Sequence, residues 1–99
     1  MLIALSARRL KPGAWEQFRR AWESGGDRPP NLVRAYHARN VRDEDEVVSF
    51  GIFDTTIEEF RAWRGEHEQE ELARVDALSA FVQNTYAEGI YDVIEELTD

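Results

Sequence analysis

The spacing of apolar positions changes repeatedly along this chain, and each change marks an element. Leu2 to Leu10 (LIALSARRL) is rich in aliphatic residues and ends in Arg8 and Arg9, which reads as a first strand with both faces partly covered. Lys11-Pro12-Gly13 breaks that run. Ala14, Trp15, Phe18, Ala21 and Trp22 then recur at helical spacing, and Ser24-Gly25-Gly26 is expected to stop the helix. Asp27-Arg28-Pro29-Pro30-Asn31 reads as a loop, because consecutive prolines exclude helix and bias the preceding residue to extended geometry. A second strand is predicted at about Leu32 to Val41, an acidic turn at Arg42-Asp43-Glu44-Asp45-Glu46, and a third strand at Val47 to Phe53, VVSFGIF. Together they suggest a hairpin.

At Asp54-Thr55-Thr56 the period changes from two to about 3.6, and Thr56 with Glu59 spells a capping box for a helix starting at Ile57. The helix, or helix pair, is predicted to run to about Phe81. Ile57, Phe60 and Trp63 open its apolar stripe and Val75, Leu78 and Val82 close it, but Arg64, His67, Glu71 and Arg74 occupy the middle. Either the helix breaks near Gly65 or its centre faces something polar. The remaining segment, NTYAEGIYDVIEELTD, fits a strand by propensity and a helix by the spacing of Ile90, Val93, Ile94 and Leu97. A final strand would complete β-α-β-β-α-β, the α+β ferredoxin-like arrangement with an antiparallel sheet, so the strand reading is preferred. Residues 1–99 read as one domain without repeats or low-complexity tracts.

A chain of 99 residues buries roughly 60 to 70% of its unfolded surface, so further burial by self-association is expected. Its 42% hydrophobic content argues for a folded globule despite 32% charged residues. Without cysteine it has no disulfide, thiolate nucleophile or cysteine metal site. No apolar run approaches the roughly 18 residues of a membrane span, and MLIALSARRL has no basic leader, which leads to the expectation of a cytoplasmic protein that engages no membrane. The net charge of −8 opposes binding to nucleic acid. That charge is uneven: residues 1–42 hold nine basic residues against three acidic ones, whereas residues 43–99 hold three against seventeen. An anionic ligand would find its counter-charge in the first half.

The candidate chemistry begins with RAYHARN, residues 34–40. Alternation sorts Ala35, His37 and Arg39 onto one face and Arg34, Tyr36, Ala38 and Asn40 onto the other. His37 is a candidate general base for a phenolic or enolic substrate, since a free imidazole titrates near pH 6.5; a histidine hydrogen-bonded at a sheet or dimer surface is the structural alternative. Arg34 and Arg39 have the planar fork that holds a carboxylate or phenolate, or that pairs with the acids of the second half. Tyr36 joins them as a ligand-binding candidate. Trp15, Trp22 and Trp63 offer flat apolar walls with one N–H donor each, and such helical aromatics also build cores. Glu66, His67, Glu70 and Glu71 lie together in EHEQEE but read as a solvated face, and neither histidine has a metal-ligand spacing with a third ligand. No metal site is expected. The chain has no G-x-S-x-G, phosphate-loop or G-x-G-x-x-G motif.

The first strand running into L-K-P-G and an aromatic helix, the hairpin, and GIFDTTIEEFRAW leading into the second helix resemble antibiotic biosynthesis monooxygenase-like proteins of the dimeric α/β-barrel superfamily. The resemblance covers the chain in order and length and is one of layout. It implies a homodimer in which two four-stranded sheets form a barrel, with a ligand cavity between sheet and helices. The strands MLIAL and VVSFGIF, which lack a wholly polar face, agree with burial by a partner. The resemblance also implies that Trp63 lies near the cavity. The haem-degrading branch combines a strand asparagine, a tryptophan early in the second helix and an iron-binding histidine ten residues later. Ser6, Trp63 and Ala73 stand at those positions here, so one of three is kept, and His67 falls roughly 9 Å short along a helix. Ser6 remains a ligand-facing candidate. What the resemblance implies is a monooxygenase-like protein acting on a planar aromatic or quinol-type molecule without a bound metal, flavin or other cofactor. A binding or accessory dimer of the same fold is the alternative.

Overall fold

The computed structural model describes residues 1–23 and 28–98, so the expected helix stop at Ser24-Gly25-Gly26 and the Asp27 end of the predicted loop lie outside the described residues. The elements are β1 (Leu2–Leu10), α1 (Trp15–Glu23), β2 (Leu32–Asn40), β3 (Asp43–Phe53), α2 (Ile57–Glu66), α3 (Glu68–Ser79) and β4 (Val82–Asp92). The four strands form one antiparallel sheet in the order β2-β3-β1-β4. That order is the ferredoxin-like one, with the second helix divided in two.

Local chemistry accounts for the joints. Pro12 and Gly13 form a turn closed by the Ala14 N–H on the Lys11 carbonyl at 3.1 Å, and Gly13 has φ +72°, which suits glycine at the third turn position. Thr56 caps α2, its hydroxyl accepting from the Glu59 N–H at 3.2 Å. The return half of the predicted capping box is not made as expected: the Glu59 carboxylate accepts from the Thr55 hydroxyl at 2.8 Å. The polar middle of the predicted helix resolves as a break, at His67 rather than Gly65. There the His67 N–H reaches the Trp63 and Arg64 carbonyls, at 3.1 and 3.2 Å, and ends α2.

The hairpin also departs from expectation. Val41 and Arg42 make the turn, and Asp43 to Glu46 belong to β3. The acids are held there by partners: Asp43 pairs with Arg9 of β1, and Glu46 accepts from the Asn40 side chain at 2.9 Å. A cationic side chain on the adjacent strand therefore draws a would-be turn residue into the sheet.

One face of the sheet carries the helices. Leu10, Ala14, Phe18, Val47 and Leu78 form one buried cluster, and Leu2, Phe53 and Phe60 form a second. Phe18, fully buried, contributes about 2 to 3 kcal/mol by removal of its ring from water. Gly51 lies toward the second cluster, where a Cβ would stand 2.9 Å from the Phe53 ring. The other face, bearing Ile3, Leu5, Val48, Phe50 and Ile52 with Tyr36 and Tyr91, carries no helix; Tyr36 and Phe50 pack there with ring centroids 5.1 Å apart.

Candidate functional site

Between the two apolar clusters, strand register lines up polar residues across the helix-bearing face. His37 of β2 is opposite Ser49 of β3, Ser49 is opposite Ser6 of β1, and Ser6 is opposite Glu88 of β4. Ser6 and Ser49 are buried, and Arg8, two residues along from Ser6, is buried with them. A row of small hydroxyls in an otherwise apolar layer leaves room for larger groups above it. Those groups are Arg8, His37 and the aromatic rings of α1.

The His37 imidazole is boxed by α1. Its ring centroid lies 5.0 Å from Trp22, 5.4 Å from Trp15 and 6.1 Å from Phe18, each ring nearly perpendicular to it. Nδ1 lies 2.7 Å from the Ser49 hydroxyl. Burial pushes His37 below its ordinary value of 6.5; Glu23 opposes the shift, while Arg19 and Arg8 reinforce it. The imidazole is therefore neutral near pH 7.

Arg8 donates to the Ser6 hydroxyl and sets its guanidinium over Phe18 and Trp22, 5.8 and 5.7 Å from the centroids. Burial lowers its pKa, with Glu88 acting against and Arg74 with that shift. Arg74 of α3 covers the same indole at 4.8 Å and is paired with Glu71 at 2.7 Å. Trp22 is thus fixed between two guanidinium groups and His37, which ties α1, α3 and the sheet to one ring.

A cleft of about 240 Å³ opens beside this box, lined by Trp15, His37, Ala38, Arg39 and Val47. Arg39 arches over Trp15, its guanidinium carbon 5.8 Å from the ring centroid. The volume lies just below the roughly 300 Å³ at which sites for drug-sized ligands begin, which suits a one- or two-ring molecule. The cleft offers an indole wall, a neutral imidazole and an exposed cation.

The structure brings together part of the set expected from sequence. His37, Arg39 and Ser6 share the helix-bearing face, whereas Arg34 and Tyr36 are on the opposite face, as alternation required. Trp63 is placed elsewhere: its ring stacks on His67 with centroids 4.3 Å apart, and the His67 Nδ1–H donates to the Trp63 carbonyl at 2.8 Å. Trp15 and Trp22 of α1 supply the indoles around His37. Ser49 and Arg8 carry no signal in the sequence that marks them as site residues, because the register that sets Ser49 against His37 joins separate strands. Among the described residues no group of three or more acidic or histidine side chains is placed to hold a metal ion.

Comparison with solved structures aligns nearly the whole chain. A protein from Deinococcus radiodurans named for antibiotic biosynthesis monooxygenases superposes with a TM-score of 0.70 at 10% identity, covering 100% of this chain and 98% of that one. SnoaB from Streptomyces nogalater, a cofactor-independent oxygenase, gives 0.65 at 14% identity over 99% and 97% of the two chains. An uncharacterized NIPSNAP domain protein from Burkholderia xenovorans gives 0.66 at 13% identity over the full length of both. This is the fold of the antibiotic biosynthesis monooxygenase and NIPSNAP proteins. At these identities the likeness is one of fold alone. No protein-family model matches the sequence, and no curated protein does. The haem-degrading pattern is not kept here, because Ala73 stands at the position of its iron-binding histidine and offers no ligand atom.

Proposed function

We propose that this chain forms a homodimer that binds a planar aromatic or quinol-type molecule in the cleft between α1 and β2 and oxygenates it without a metal or flavin. The observation that carries the reading is the cleft itself, where an indole wall meets a neutral imidazole and a cation. The likeness in fold to SnoaB, a cofactor-independent oxygenase, supports it. An electron-rich phenolate or enolate held there would react with dioxygen directly, and the protein would supply orientation and charge stabilisation. His37 meets the reacting oxygen, Arg39 balances the charge and Trp15 forms the wall. Dimerisation would cover the helix-free face, where Ile3, Leu5, Val48, Phe50 and Ile52 form a contiguous apolar surface. The test is oxygen uptake with a panel of anthrones and hydroquinones, expected for the wild type and reduced at least about tenfold in His37→Ala; uptake equal in the two rejects the reading.

A binding or accessory dimer is the second reading. It is favoured by Trp63, whose ring is taken up by His67 instead of facing His37. Native mass spectrometry of freshly purified dimer separates the two: a retained organic molecule with no oxygen uptake supports the accessory role.

A further inference from the structure

Ser49 decides which nitrogen of His37 carries the proton. Its hydroxyl is buried, 2% exposed, and among the described residues its one polar partner is the His37 Nδ1 at 2.7 Å. A hydroxyl owns one proton, and a buried O–H left without an acceptor costs about 1 to 3 kcal/mol. Were Nδ1 protonated, it would donate to Ser49 and strand the Ser49 proton. Donation from the Ser49 hydroxyl to Nδ1 leaves neither group unsatisfied. The proton of the neutral imidazole then resides on Nε2. Among the described residues Nε2 has no hydrogen-bond partner, and His37 lines the cleft, so the nitrogen available to a ligand is a donor.

We infer that His37 is a hydrogen-bond donor to the bound ligand rather than a base, and that the cleft selects molecules presenting an acceptor oxygen, a ring carbonyl or an already ionised phenolate. This rests on the cleft being the binding site. It removes the proton-abstraction step from His37: the substrate enters ionised, or loses its proton to solvent, and the imidazole N–H with Arg39 stabilises the resulting charge. Arg39 acts in the same sense, since a guanidinium only donates. A neutral phenol is the poorer guest because its own proton meets two donors.

Two measurements on the full chain test this. Long-range ¹H–¹⁵N correlation at pH 7.5 reads the tautomer directly: a pyrrole-type Nε2 with a pyridine-type Nδ1 is expected, and a pyrrole-type Nδ1 overturns the inference even where ligands bind. Ser49→Ala, which removes one buried oxygen and little volume, is expected to let both tautomers appear. The second measurement titrates 4-nitrophenol, a coloured probe that ionises near neutral pH. The bound probe should show the phenolate absorbance at a pH where the free probe is mostly protonated, a preference of about tenfold or more. His37→Gln, which keeps an N–H donor, should retain most of that preference, and His37→Leu should lose it. A probe bound as neutral phenol overturns the donor assignment alone, whereas absence of binding with Nε2 protonated rejects the cleft as a site and the inference with it.

Discussion

His37 and Ser49 face each other across β2 and β3, their Cα atoms paired in register and the imidazole Nδ1 2.7 Å from the serine hydroxyl. The pair sits between two apolar clusters and under two indoles, so the most chemically capable side chain of the fold is also one of its most constrained. Burial acts on it most, and it favours the neutral form.

This has a consequence for stability. Because the folded pKa of His37 lies below 6.5, the unfolded chain binds more protons at pH values between the two. Its contribution is complete above about 6.5 and is lost as the pH falls from there toward the folded value. Denaturant melts across that window should show a stability slope for the wild type that is shallower in His37→Gln.

Phe18 is fully buried, packs on both Trp15 and Trp22 and lies 6.1 Å from His37. Phe18→Ala is expected to destabilise the fold by about 3 to 5 kcal/mol, read from urea denaturation.

Gly51 is a packing requirement. A methyl there would meet Phe53 at 2.9 Å, with Leu32 next at 3.5 Å. Gly51→Ala should cost about 1 to 3 kcal/mol, the range of core overpacking, and Gly51→Ala with Phe53→Leu should recover part of it; thermal melts of the single and double variants check this.

The helix-free face gives a prediction about assembly. Phe50→Glu places a charge in the middle of its apolar patch, against Tyr36 at 5.1 Å. Size-exclusion chromatography with light scattering should report a dimer for the wild type and a shift toward monomer for the variant.

Much of the fold could be read from the chain because strand alternation and helix spacing are local. Alternation sorted His37 and Arg39 from Arg34 and Tyr36, and topology chose a strand for the Val82–Asp92 region. The acids after Arg42 read as a turn because their partner, Arg9, lies on a strand distant in sequence. The indole beside His37 was equally hidden. Helical spacing shows that Trp15, Trp22 and Trp63 face inward, but which of them crosses to β2 depends on how α1 and α2 are laid over the sheet. Packing sent Trp63 to its own helix neighbour, His67, and left the cleft to α1. Ser49 went unnoticed since a serine in a strand carries no periodic signal of its own, and its role appears only once β2 is set beside β3.

Binding of a planar aromatic ligand in the cleft between α1 and β2 is the proposal on which the functional reading rests. Amide and indole chemical-shift mapping during titration with 1,4-dihydroxynaphthalene tests it most directly. Shifts concentrated at Trp15, His37, Ala38, Arg39 and Val47 are expected; shifts confined to the helix-free face around Tyr36 and Phe50, or none at all, would overturn the cleft as the binding site.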